Sequence, residues 1–251
     1  QTAALGFAGY GAPSPGYSES QKTEEYNGTG WTIGGTLGGS RYLIGGAGTQ
    51  TAGLAFGGNA PSTGRSALTE EYNGSSWTES GDLSTARRGL GSAGTQTAAA
   101  AFGGDTNGSG VTPVVATEEY NGSSWTSGGN LNTSRTLANQ GYIGTQSATL
   151  YAGGATAPLT SAVEEYDGSS WTTVTSLPAA RRNSAVAGIQ TSGILFGGAL
   201  APITNTALNY DGTNWTSIAS MATSVSTHAG AGTASTAVSF GGTGGSPTGL
   251  T

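Results

Sequence analysis

Residues 117–126 read Thr117-Glu118-Glu119-Tyr120-Asn121-Gly122-Ser123-Ser124-Trp125-Thr126, and close variants of this stretch recur along the whole chain. In every copy the Trp stands five places after a Tyr: Tyr26 and Trp31, Tyr72 and Trp77, Tyr120 and Trp125, Tyr166 and Trp171, Tyr210 and Trp215. The spacings between successive Trp are 46, 48, 46 and 44 residues. The tetrapeptides between Tyr and Trp are NGTG, NGSS, NGSS, DGSS and DGTN. A second marker is an aromatic residue before a Gly pair: Phe56-Gly57-Gly58, Phe102-Gly103-Gly104, Phe196-Gly197-Gly198 and Phe240-Gly241-Gly242. At 145–154 the marker is shifted, with Tyr151 one place early and Ala152 in the Phe position, and a degenerate Phe7-Ala8-Gly9 opens the chain. A period in the forties marks a repeat whose units bury their apolar faces on one another.

Each unit reads as four short strands. In residues 87–130 the first strand is Arg88–Ala93, followed by a tight Gly94-Thr95-Gln96-Thr97 turn. The second is Ala98–Phe102, ended by Gly103-Gly104; a longer loop, 105–115, leads to the third, Ala116–Tyr120. Asn121-Gly122 then forms a hairpin, since both residues tolerate positive φ, and the fourth strand starts at Trp125. A helix is not competitive, because Gly interrupts every apolar run and each interior Gly costs a helix roughly 1 kcal/mol. The first two strands are dense in Gly and Ala, as crowding near a common axis demands, while Tyr and Trp fall in the outer strands. Four strands per unit at this period indicate an all-β fold, a β-propeller.

Composition narrows the function classes. Gly accounts for 46 of 251 residues, against roughly 7 % in an average chain. Charged residues are 9 % of the sequence, which excludes a coiled coil, a helical bundle and a charge-rich disordered tail. Eight Lys and Arg against 14 Asp and Glu give a formal charge of −6, so no nucleic-acid partner is expected. There is no Cys, hence no disulfide framework, thiolate metal site or cysteine nucleophile. No apolar stretch is long enough to span a bilayer, so membrane insertion is not expected. The start at Gln1 rather than Met is what a processed or trimmed piece would show.

The order Gly103-Gly104, loop, Glu118-Glu119-Tyr120-Asn121, Trp125, Arg135 resembles the kelch repeat, over essentially the whole chain. The resemblance implies a kelch-like propeller. The wording TEEYNGSSWT, GTQTA and FGG also resembles repeat arrays in structural and tail-fibre proteins of marine bacteriophages, which implies a virion or extracellular surface location. The markers amount to about 21 strands, closer to five four-stranded blades than to six. Closure of a five-bladed ring would take a first strand from 225–232 and the third and fourth strands from 22–34, with Gln1–Gly9 or Thr236–Gly242 left spare. A spare strand invites pairing with another molecule; a fragment of a longer array is the alternative.

Few residues are candidates for chemistry. Arg recurs ten places after Trp as Arg41, Arg87, Arg135 and Arg181, and after Trp215 that place is Val225. Glu recurs two places before Tyr as Glu24, Glu70, Glu118 and Glu164, and before Tyr210 that place is Leu208. The unit that lost one lost the other, so Arg and Glu of one unit are expected to form buried structural pairs; the kelch resemblance implies the same role. A cationic ring at a channel mouth is the competing reading, and pairing with Glu would silence it. Arg88 and Arg182, each following a repeated Arg, and Arg65, Tyr17 and Asn107, in variable loops, are the ligand-contact candidates. His228, the single His, aligns with Ile44, Leu90, Ala138 and Ser184 and reads as a packed or channel-lining residue. One His builds no ordinary metal site, no G-x-S-x-G turn is present, and no cofactor is expected. The Asp167-Gly168 turn lacks the Asp-box spacing of sialidases, and the Cys and His ligands of galactose-oxidase-like kelch enzymes are absent.

The loops between second and third strands vary most (11–21, 59–66, 105–115, 155–162 and 199–206), and Pro13, Pro15, Pro61, Pro113, Pro158 and Pro202 lie in them. Alternating strand direction puts these loops on one face with the inter-blade loops, where a rigid scaffold presents variable segments. The expectation is a non-enzymatic binding module contacting a host glycan or protein through that face. The alternative is a scaffold without a small ligand, assembling through spare edge strands into a homo-oligomer or a virion structure.

Overall fold

The structure, a computed structural model, describes residues 3–11, 18–61, 64–107, 112–140, 143–156, 158–199 and 202–244. It is all-β, a five-bladed propeller of antiparallel sheets. The blades are named here by their Trp. The Trp77 blade runs Gly45–Thr49, Ala52–Phe56, Thr69–Tyr72 and Trp77–Glu79, each strand antiparallel to the next. The Trp125 blade repeats it with Gly91–Gly94, Ala99–Phe102, Thr117–Tyr120 and Trp125–Ser127. The Trp171 and Trp215 blades follow the same order.

The Trp31 blade has three strands: Ala4–Phe7 in the second position, then Thr23–Tyr26 and Trp31–Ile33. A hairpin of Ala229–Thr233 and Thr236–Phe240 follows the Trp215 blade. Its first strand packs on Ser184–Ile189, so closely that a Cβ on Gly230 would lie 2.5 Å from the Val186 carbonyl oxygen. Among the described residues no backbone pairing joins Ala229–Thr233 to Ala4–Phe7; the chain ends meet through the rings of Phe240 and Trp31, 5.5 Å apart. Of the two candidate spare strands, the C-terminal one is therefore the extra.

Each hairpin turn between third and fourth strands spans four residues rather than two. Gly74 takes the positive φ, 91°, while the Asn73 side-chain oxygen accepts the backbone N–H of Ser75 and Ser76, both at 3.0 Å. The Phe-Gly-Gly corner is a close approach: a Cβ on Gly58 would stand 2.5 Å from Ile44 Cγ2, and its φ is 102°.

Neighbouring blades complete one another. Trp77, Trp125 and Trp171 donate their indole N–H to Thr23, Thr69 and Thr117 of the preceding blade at 2.8, 3.0 and 2.9 Å. In the next copy Val163 replaces that Thr, and Trp215 turns to the Thr175 carbonyl at 3.1 Å. Tyr72, Tyr120, Tyr166 and Tyr210 donate to Glu25, Glu71, Glu119 and Glu165 of the blade before, at 2.5, 2.6, 2.6 and 2.9 Å. Burial and this carboxylate push the Tyr120 and Tyr166 phenols up to about 12. Gln96, Gln146 and Gln190, from the first-to-second turns, each donate to two carbonyls of the preceding blade, and Gln50 donates to the Tyr26 carbonyl.

A backbone belt links the blade entries. Gly89 donates to Leu43, Leu137 to Gly89, Asn183 to Leu137 and Thr227 to Asn183, at 2.8, 2.8, 2.8 and 3.0 Å. All five residues have positive φ, between 53° and 59°, although four are not Gly.

The repeated Arg and Glu do form buried pairs, in a register one Trp unit on from the expected one. Arg41 pairs with Glu70, Arg87 with Glu118 at 2.8 Å and Arg135 with Glu164 at 2.7 Å. The reason is topological: the Arg that follows one Trp is already entering the next blade. Carbonyls at the Gly-Gly corner and loop accept from further guanidinium N–H groups, as Gly103 and Ala116 do for Arg87 at 3.0 and 2.8 Å. Burial pulls these guanidinium pKa values down while the carboxylates oppose it. Arg181 faces Leu208 instead and donates to the Gly197 carbonyl and Thr206 Oγ1. Glu24 is exposed.

Two outcomes are expected in urea denaturation. Arg87→Leu strands a buried carboxylate and costs about 3–5 kcal/mol, whereas Arg181→Leu loses only hydrogen bonds, roughly 1–3 kcal/mol. His228 is 1 % exposed, packed on Phe196 with ring centroids 5.7 Å apart, and burial lowers its pKa to about 4. Above pH 6.5 it is neutral in both states. As pH falls from 6.5 towards 4 only the unfolded chain takes the proton, so stability drops by on the order of 3 kcal/mol. His228→Leu should remove that component of the slope; an unchanged difference between pH 7.5 and 4.5 would exclude it.

Candidate functional site

The variable loops and the blade entries share one face, joined by short backbone bridges: Tyr42 with Asn59, Arg88 with Asp105, Thr136 with Ala155 and Arg182 with Ala199. The Gly-Thr-Gln and Asn-Gly turns meet on the opposite face through the Gln clamps. This matches the topology read from the strand alternation.

Three candidates converge on one carboxylate between the Trp77 and Trp125 blades. Asp105, 1 % exposed, accepts from Arg65 Nη2 at 2.7 Å and from Arg88 Nε at 3.2 Å through the same oxygen. Its other oxygen accepts the backbone N–H of Thr112 at 2.9 Å and of Asn107 at 3.1 Å. Burial alone would raise the Asp105 pKa. The two backbone N–H groups and the Arg65 guanidinium outweigh it and hold the carboxyl below its ordinary value. Arg65 also reaches Asn59 Oδ1 at 2.7 Å and the Asn107 carbonyl, and its side chain is buried. Arg65 is therefore a strut between two loops. Asn107 is held by the same knot, its side-chain amide donating to Thr112 Oγ1 at 3.2 Å. Arg88 keeps a quarter of its side chain exposed at the rim. Arg182 sits two blades further on at the equivalent entry, exposed, with no side-chain partner among the described residues. Tyr17 lies outside the described residues.

The geometry adds residues that sequence reasoning passed over. Tyr10, 57 % exposed, stacks obliquely on Tyr42 with ring centroids 5.1 Å apart. The pair sits beside Asn59, whose backbone bridges Tyr42 and whose side chain holds Arg65. Tyr10, Tyr42, Asn59, Arg65, Asp105 and Arg88 thus form a continuous strip across the Trp31, Trp77 and Trp125 blades. Asp105 had one sequence signal: it is the only charge directly after a Gly pair. The tyrosines had none, being brought together by blade adjacency alone. A partly exposed aromatic pair with a guanidinium close by suits the flat faces and hydroxyls of sugars, or a protein side chain.

Among the described residues no group of three or more His, Cys, Asp or Glu is placed to hold a metal ion. No family model matches the chain, and no curated protein matches it.

Asp105→Ala is expected to destabilise by about 3–5 kcal/mol, because it leaves buried Arg65 without its counter-charge. Arg88→Ala should change stability by no more than about 1 kcal/mol. Thermal denaturation of the two variants side by side separates strut from rim.

Proposed function

We propose that this propeller is a non-enzymatic recognition module, carried on a virion or a cell surface, that contacts a host glycan or protein through its variable loop face. The observation that carries it is the strip on that face: an exposed Tyr10–Tyr42 pair flanked by a knot that fixes the loops and leaves the Arg88 tip at the surface. Rigid loops lower the ordering cost of binding, and aromatic and Arg side chains dominate such contacts. The kelch-like repeat order supports a binding role, and the phage-like wording of the repeat supports the location. The net charge of −6 argues for a neutral or cationic partner and against nucleic acid.

Glycan-array binding is the test. Exchange of loops 59–66 and 105–115 with the 199–206 loop should abolish the signal, and Tyr10→Ala should weaken it at least tenfold. Binding that survives both changes overturns the assignment of this face.

A scaffold role without a small ligand is the second reading. The observation favouring it is that, among the described residues, strand Thr236–Phe240 pairs on one side only. Light scattering that returns a strict monomer at all concentrations counts against it.

A further inference from the structure

Four blade junctions share one set of contacts, and the junction between the C-terminal hairpin and the Trp31 blade lacks nearly all of it. Phe7, Phe56 and Phe102 touch Trp77, Trp125 and Trp171 of the following blade with centroids 5.1, 4.8 and 4.9 Å apart. Phe240 touches Trp31 in the same way at 5.5 Å. The hairpin therefore stands in a blade position of its own, directly before the Trp31 blade, and the described residues fill its first two strands.

Several independent features of that junction are unfinished. Among the described residues, strand Thr236–Phe240 has no partner on its outer side, where Ala52–Phe56 has Thr69–Tyr72. Among the described residues, strand Ala4–Phe7 pairs with no first strand, where Ala99–Phe102 has Gly91–Gly94. The Trp31 ring is 40 % exposed, and its indole has no counterpart to the Thr that serves Trp77 among the described residues. Among the described residues, Tyr26 has no Glu of the kind that serves Tyr72. Glu24 is exposed, while Glu70, Glu118 and Glu164 are buried against Arg. The backbone belt stops at the Leu43 N–H and the Thr227 carbonyl.

We propose that this gap is a docking site for one further stretch of the chain's own repeat, running from a third strand through the fourth to the next first strand. Such a stretch answers all six features at once. Its Thr-Glu-Glu-Tyr strand pairs with Thr236–Phe240, giving Thr to Trp31 and a carboxylate to Tyr26. Its Arg reaches Glu24. Its positive-φ residue donates to Thr227 and accepts from Leu43, closing the belt. Its last strand lies inside Ala4–Phe7. The hairpin then becomes the inner half of a sixth blade. No other stretch of the repeat has its strands in that order, so the occupant is fixed by the vacancy itself.

The test is a synthetic peptide with the sequence of residues 69–94, titrated into the protein by calorimetry. Saturable binding at one peptide per protein is expected, together with a raised Tm. Ser239 lies opposite Gly230 at a place that faces the free edge, equivalent to Ala55 and Ala101. Ser239→Pro blocks strand addition without removing a hairpin hydrogen bond, and should abolish binding. Glu24→Gln, a surface change, should weaken it about tenfold, as should replacing the peptide's Arg87 with Gln. No binding at several hundred micromolar, or equal binding by Ser239→Pro and Glu24→Gln, overturns the proposal. Glycan binding by the loop face is read separately and does not depend on the result.

Discussion

Leu43, Gly89, Leu137, Asn183 and Thr227 stand in the left-handed region and pass one backbone hydrogen bond from blade to blade. For four of these five the conformation costs of order 1 kcal/mol or more. It persists because each residue is the hinge at which the chain leaves one blade and enters the next. The preceding Arg must point back under the Gly-Gly corner while the following strand starts down the axis. The buried guanidinium sets this geometry: Arg87 is held by Glu118 and three carbonyls, so the two residues after it have little freedom. No unit is satisfied alone. Its Trp, Tyr and Gln are completed by the blade before it.

Such interlocking gives the loop face its stiffness. The loops after each Gly pair are tied at once to the entry of their own blade, as Asp105 is tied to Arg88 through backbone and side chain. Sequence variation in these loops then changes what is displayed and leaves the frame unchanged. The Asp105 knot is one solution to holding a loop of this length. The equivalent positions in the next two blades carry Ala155 and Ala199 and use backbone bridges alone. Those loops are anchored by less, and they present fewer charged groups.

The period, the strand order and the partnership of Arg with Glu were legible because each leaves the same letters at the same interval. The register of that partnership was not. Counting from Trp groups Arg41 with Glu24, but the sheet boundary falls between them, and it is set by the folded blade order. The Gln clamp hid inside a stretch that reads as a turn, since Gln50, Gln96, Gln146 and Gln190 act on carbonyls about 24 residues back in sequence. The positive-φ hinges carry Leu, Asn and Thr, so nothing in their side chains announces them. Tyr10 and Tyr42 belong to different units and meet only when the ring is built.

One side of the ring trades polar contacts for apolar ones, and the losses are correlated. Val163 stands where a Thr would serve Trp215, Leu208 where a Glu would serve Arg181, and Ala234 where a Gln would clamp the Trp215 blade. In their place Ile143, Leu150, Val163, Val186, Leu195 and Leu208 form a single buried cluster across the Trp171 and Trp215 blades. Replacing a buried ion pair by well-packed apolar groups is close to neutral or favourable, whereas losing one partner alone is expensive. Arg181 keeps two hydrogen bonds in place of the ion pair, from one Nη to Thr206 Oγ1 and to the Gly197 carbonyl. Ala234 has no such compensation, and the space a Gln would fill is a cleft of about 400 Å³ between Ile189, Asn209 and Ser235. Where the apolar cluster ends, at the hairpin, His228 sits buried against Phe196. Burial there disfavours the imidazolium, so the apolar side of the ring ends on a group that resists protonation.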